Sequence, residues 1–185
     1  MFNIGDKIVY PMHGAGTIKD IEEKNILGKT EPYYILEMPG EVKVMVPINK
    51  AESIGVRNII DKEKADKVFS ILGHDSTEMS MNWNKRYRDN MDKMKSGDIY
   101  EVADVVRNLS FKQKEKGLST GEKKMLVNAK QILISELVLA EHSSKDEVEN
   151  LIEDTICKSF EAYKHTDKSE VNNNDNIMKK FIPYN

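Results

Sequence analysis

Trp83, the one tryptophan in 185 residues, lies in the segment Asn82-Trp83-Asn84-Lys85-Arg86-Tyr87-Arg88, beside three cations and a tyrosine. Cations of this kind neutralise phosphates, and a large apolar ring beside them can press against bases. On a helix Lys85 and Arg88 share a face, and Trp83 and Tyr87 stand four apart as an adjacent aromatic pair. Lys93, Lys95, Lys123, Lys124 and Lys130 complete the set of candidate phosphate contacts. The same residue types also suit a buried core tryptophan with a solvated polar flank. Exposure of the ring separates the two readings.

The charge is unevenly spread along the chain. The chain carries 28 basic and 31 acidic residues, a net charge of −3. Residues 82–125 hold 11 basic against 7 acidic, whereas residues 1–81 hold 10 against 13 and residues 126–185 hold 7 against 11. Partners respond to local potential, so the basic middle matters more than the total. The excess is small. It predicts weak, salt-sensitive binding without strong sequence readout, with Trp83 acting on the shape of an unstacked step.

Other chemistries lack their parts. No Gly-x-x-x-x-Gly-Lys-Ser/Thr loop is present, and His13-Gly14-Ala15-Gly16 leads into a strand and not a helix. His13, His74, His142 and His165 are far apart and none has a second ligand at helical spacing, so no metal is expected. Cys157, the single cysteine, shares an apolar helical face with Ile152 and Ile156 and reads as a buried, inert thiol. One cysteine builds no internal disulfide, which suits a reducing cytoplasm. No apolar run approaches the about 20 residues of a membrane helix, and Met1-Phe2-Asn3-Ile4-Gly5-Asp6 has no signal-peptide character. The expectation is a cytoplasmic, non-enzymatic protein with no cofactor, no membrane contact and no small-molecule substrate.

The elements that must carry these residues follow from periodicity. Short alternating segments fill residues 1–57: Ile8-Val9-Tyr10, Thr17 to Glu22, Tyr33 to Met38 and Val42 to Val46. Pro11 to Gly16 and Pro39-Gly40 are turns, Asn25 to Pro32 reads as a hairpin loop, and Ile54-Gly55-Val56 reads as a last short strand. So many strands in so short a stretch predict a small, strongly bent sheet or SH3-like barrel. Val42–Val46 is the candidate free edge, able to recruit a partner strand, with Lys43 protecting it.

After residue 61 the period becomes helical. Ala65, Val68, Phe69 and Leu72 share a face, and a helix near Asn82–Met94 stops at Ser96-Gly97. Asp98 with Glu101, Ser119 with Glu122, and Ser144 with Glu147 are capping signatures that open three more helices. The fold class is therefore α+β in two domains: a small bent sheet over 1–57, a linker at 58–62, and a compact helical bundle over 63–163. Residues 164–185 are polar and low in complexity and read as a mobile tail.

In this order the motifs resemble the CarD/CdnL family of bacterial transcription regulators. The resemblance lies in Gly5-Asp6-Lys7-Ile8-Val9-Tyr10-Pro11-Met12-His13-Gly14-Ala15-Gly16, in Ile26-Leu27-Gly28, Tyr33-Tyr34-Ile35-Leu36, Val46-Pro47 and Gly55-Val56-Arg57. It continues in Asn82 to Arg88, Lys95-Ser96-Gly97-Asp98, Val102 to Leu109 and Gly117 to Leu126, and covers roughly residues 1–140. It implies a Tudor-like sheet that binds the RNA polymerase β subunit at its protrusion/lobe region. It implies a helical domain that meets promoter DNA at the upstream edge of the melted −10 region. The family's wedge falls on Trp83 and its basic neighbours on Lys85, Arg86 and Arg88; Lys123, Lys124 and Lys130 join them as candidate DNA contacts. Lys24, Lys43, Val44, Met45 and Val46 are the candidate polymerase contacts, with Met45 where relatives carry arginine. The rival expectation is an SH3/Tudor-like protein-interaction adaptor whose helical half never touches DNA.

Overall fold

A computed structural model describes the backbone of residues 1–179 and the side chains of residues 1–165. Five strands come first: β1 (Lys7–Tyr10), β2 (Gly14–Ile26), β3 (Lys29–Glu37), β4 (Lys43–Pro47) and β5 (Arg57–Asn58). They form one antiparallel sheet in the order β4-β3-β2-β1-β5, so β4 is an edge strand, as its composition predicts. A single helical turn, α1 (Ala51–Ile54), separates β4 from β5. Then come α2 (Lys62–Leu72), α3 (Trp83–Lys95), α4 (Ile99–Glu115), α5 (Thr120–Glu141) and α6 (Lys145–Lys179). The α+β class expected from the periodicity is the one observed.

Alternation decides what each strand buries. Ile8, Ile18, Tyr34, Leu36, Val46 and Ala51 meet in one small core on the inner face of the sheet. The helices enclose a larger core that includes Leu72, Met94, Leu109, Phe111, Leu133 and Ile156. Asp98 and Ser119 cap their helices where the sequence predicts, and Asn82 caps α3. Asn82 accepts from Lys85 N at 3.0 Å, Asp98 from Tyr100 N at 2.8 Å, and Ser119 and Glu122 form a full capping box.

Two local expectations need correction. The hairpin after β2 is a two-residue turn at Leu27 (φ 53) and Gly28 (φ 79), not a loop from Asn25 to Pro32. Pro32 sits inside β3 because β4 pairs only from Tyr33 onward, so the N–H that proline lacks faces no partner strand. Ile54-Gly55-Val56 is not a strand; Ile54 ends α1, and Gly55 takes the left-handed cap (φ 85). The strand is Arg57–Asn58, paired to Val9 and Ile8.

The boundaries shift accordingly. Asn58 belongs to β5, Ile60 is buried and Asp61 caps α2, so little of 58–62 is a free linker. α6 runs past residue 164 to Lys179, and the expected tail beyond it lies outside the described residues.

The sheet and the bundle pack directly. Ala15 N donates to Ser135 Oγ at 2.8 Å. A Cβ on Gly14 (φ 104) would stand 2.4 Å from that oxygen, so the glycine lets the start of β2 lie against α5. Arg57 and Glu136 form a two-pronged ion pair at 2.6 and 2.9 Å, with Glu136 almost wholly buried.

Candidate nucleic-acid interface

Trp83 is the first residue of α3 and is 44 % exposed, so its ring is presented outward and not sealed in the bundle. It is also held. The indole Nε1 donates to Ser119 Oγ at 2.9 Å, and the ring stacks on Tyr87 at 5.3 Å between centroids and 26° between planes. Gly121 lies beneath both rings; an ideal Cβ there would sit 3.5 Å from Trp83 and 3.4 Å from Tyr87. The ring therefore rests on the first turn of α5 with one face free.

The same first turn anchors α3 from below. Ser119 Oγ donates to Glu122 Oε2 at 2.9 Å, and Ser119 N donates to the same oxygen at 3.0 Å. Arg86 Nε donates to Glu122 Oε1 at 2.7 Å, and its Nη1 donates to Ser80 O at 2.7 Å and Met81 O at 3.2 Å. Glu122 is 1 % exposed. Burial pushes its carboxyl up, but the Ser119 N–H, the Arg86 guanidinium and the Ser119 hydroxyl outweigh that and hold it below the usual value of 4.5. An ionised Glu122 thus bridges two helices, and its network ends at the indole nitrogen.

The cations sort into two groups. Lys85 and Arg88 on α3, and Lys123 and Lys124 early in α5, are exposed on the elements that carry Trp83. Arg86 is different. Its side chain is buried in the pair with Glu122, so the expected phosphate contact is instead a brace between α3 and α5. Lys130 lies about 16 Å along α5 from the Ser119 cap. There it pairs with Glu153 and lines a cavity of about 600 Å³ beside His13 and Val44. Lys93 is held by Asp104 and Glu101.

The sheet places its candidates on both faces of β4. Lys43 and Met45 are exposed on the outer face, while Val44 points to the inner face with Val46, which is wholly buried. Val46 is a core residue and offers a partner only its backbone. Lys24 is on the outer face of β2, paired with Glu22, opposite Glu31 and beyond the end of β4. Cys157 is partly exposed, with Sγ 3.8 Å from Glu161, and is not the buried thiol its neighbours suggest. Among the described residues no three metal-ligating side chains converge, and no helix is long and apolar enough to cross a membrane.

Sequence reasoning finds the capping box and the aromatic pair but not their union. Ser119 and Glu122 announce a helix start; nothing local says that Trp83 and Arg86 meet it from 36 residues away.

Family models match both halves of the chain. The CarD-like/TRCF RID domain covers residues 2–60, and the CarD C-terminal domain covers residues 67–153. The chain belongs to the CarD-like family, with the Tudor-like sheet of the first domain joined to the helical second. A relative from Bacillus subtilis (strain 168), described as "Putative transcription factor YdeB", is 46% identical over 138 residues, which is 74% of this chain and 90% of YdeB.

Proposed function

We propose that this chain is a non-enzymatic regulator of transcription initiation that binds RNA polymerase and holds promoter DNA open. Family membership and the likeness to YdeB support the transcription role. In this reading the β4 edge, with Lys43 and Met45 outward, binds the polymerase β subunit at its protrusion/lobe region. Trp83 then meets the upstream edge of the melted −10 region, with Lys85, Arg88, Lys123 and Lys124 on the flanking phosphates. Lys24 adds a cation on the sheet's outer face.

The observation that carries the reading is the half-exposed indole, hydrogen-bonded at 2.9 Å and stacked on Tyr87. A ring fixed on one side and free on the other is ready to stack against an unpaired base, and less ordering entropy is lost on contact. Binding to polymerase makes the DNA contact intramolecular, so a modest patch of charge suffices. A ligand shifts an equilibrium only by its differential affinity for the two states. Trp83 meets that condition because the stacking surface it needs exists only after melting.

Trp83 is also its own reporter, being the one tryptophan of the chain. With a polymerase whose tryptophans are replaced, acrylamide quenches its fluorescence in the free protein. On a promoter in the open complex the reading requires protection from quenching and emission altered by base contact. Equal quenching in both states contradicts the DNA contact and favours a protein-interaction adaptor.

A further inference from the structure

Arg57 touches both ends of the frame that carries Trp83. It sits in β5, at the edge of the sheet opposite β4. Its Nη1 and Nη2 donate to Glu136 Oε1 and Oε2 at 2.6 and 2.9 Å. Its Nε and Nη2 also donate to Gly97 O, at 3.0 and 2.8 Å. Glu136 is on α5 and Gly97 lies just after α3. One planar guanidinium thus joins the sheet, the far end of α3 and the far part of α5.

The near ends of the same two helices meet at the tryptophan. Trp83 opens α3 and Ser119 caps α5, joined by the indole hydrogen bond and braced by Arg86 and Glu122. The geometry is a triangle with α3 and α5 as two sides. The α5 side spans about 25 Å from Ser119 to Glu136, and the α3 side about 20 Å, at 1.5 Å per residue. Glu136 also accepts from Ile60 N at 3.0 Å, Ser135 Oγ accepts from Ala15 N at 2.8 Å, and Lys7 Nζ donates to Leu139 O at 3.1 Å. These contacts seat the sheet on the same stretch of α5.

We infer that Arg57 is a positioning residue: by tying β5, the turn after α3 and α5 together, it fixes where Trp83 stands relative to the β4 edge. The inference rests on the function proposed above. If the sheet is the anchor and Trp83 the wedge, a loose joint between them spreads the ring over many placements. A fixed joint concentrates it at one. Arg57 touches neither partner in this account, and its effect appears only when both are bound at once. Lysine cannot replace it, because an ammonium lacks the fork that serves a carboxylate and a carbonyl together.

The test uses the full chain and Arg57→Ala, Arg57→Lys and Glu136→Gln. Glu136→Gln keeps the shape of the side chain and an acceptor for Ile60 N, and so guards against loss of folding in the other two. Spin labels go on exposed residues outside both contact surfaces, by Glu23→Cys and Glu115→Cys in a Cys157→Ser background. The parent should give a narrow inter-label distance distribution and the variants a broad one. Affinity for free polymerase and for forked DNA alone should each stay within about twofold of the parent, while the open-complex lifetime gain falls about fivefold or more. A merely structural role predicts that both separate affinities fall together, and that result overturns the inference. So does a narrow distribution with a parental lifetime in folded variants. A parent that does not lengthen the open complex defeats the proposed function instead, and the distance distributions still decide whether Arg57 holds the joint.

Discussion

Trp83 and Ser119 are joined by a 2.9 Å hydrogen bond from the indole Nε1 to the hydroxyl that caps α5. The hydroxyl has three tasks, since it also accepts from Glu122 N at 3.3 Å and donates to Glu122 Oε2 at 2.9 Å. Ser119→Ala removes all three. It should cost about 0.5–2 kcal/mol of stability, the usual loss of an N-cap, as read by denaturant unfolding. It should also free the ring, lowering the steady-state anisotropy of the single tryptophan while the protein remains folded. Parental anisotropy would mean that the Tyr87 stack alone holds the indole.

Arg86 and Glu122 form the buried brace under that ring. Removing Glu122 leaves the buried Arg86 guanidinium on the Ser80 and Met81 carbonyls without its counter-charge, and removing Arg86 leaves the buried Glu122 with Ser119 and with Lys112 at 3.5 Å, so each loss should run up to about 3–5 kcal/mol. Arg86→Ala and Glu122→Ala should therefore each destabilise strongly, and the double variant should lose much less than their sum. Additive losses would show that the two side chains do not act as a pair.

The same brace has a pH signature. The Glu122 carboxyl is held below its ordinary 4.5, so the native state binds its proton less readily than the unfolded chain does. Its contribution is therefore full above that value and is lost as pH falls through the lower folded value. Asp61 and Glu147 are shifted the same way by backbone N–H donors from Lys64 and Ser144, so the parent's acid slope is shared. Glu122→Gln should flatten part of that slope below about pH 4.5 and leave the dependence near neutrality unchanged. An unchanged acid slope in a folded Glu122→Gln variant counts against the ionised brace.

The exposed cations nearest Trp83 along α3 and α5, Lys85, Arg88, Lys123 and Lys124, set the expected salt response. If Lys85, Arg88, Lys123 and Lys124 each meet a phosphate, the logarithm of DNA affinity should fall with the logarithm of salt with a slope of about −3.6. Replacing any one by alanine should reduce the slope by about 1. Arg86→Lys and Lys130→Ala should leave the slope unchanged, because Arg86 is buried against Glu122 and Lys130 is paired with Glu153 on the other stretch of α5. A slope that drops with Lys130→Ala would place that lysine at the interface.

On the sheet, Met45 and Val46 separate binding from stability. Met45 is 46 % exposed on the β4 edge and Val46 is wholly buried. Met45→Asp should weaken capture of the polymerase β subunit with little change in melting temperature. Val46→Ala should lower the melting temperature by removing core methyl groups, with binding lost only in proportion to unfolding. Equal β-subunit capture by Met45→Asp and the parent would place the contact elsewhere on the sheet.

Much of this was legible in the sequence because its signals are local. Alternation marked β4 as a strand, and lysine within it marked an edge; Ser119-Thr120-Gly121-Glu122 marked the start of α5. What failed was tertiary. Arg86 has the composition of a phosphate contact, and only the packing of α3 on α5 turns it inward to Glu122. Asn25 to Pro32 reads as a loop in the sequence because which side of β3 is paired, and so where a proline is tolerated, cannot be read from β3 itself. Arg57 and Glu136, 79 residues apart, each look like ordinary surface charges until the sheet is laid on α5.

The most direct measurement is the lifetime of the promoter open complex after a competitor challenge, with the parent and with Trp83→Ala. Base-facing aromatic contacts contribute about 1–3 kcal/mol, so the variant should shorten the protein-dependent lifetime about 5- to 150-fold while polymerase capture stays intact. Equal lifetimes for the two proteins, with both bound to polymerase, would contradict the account.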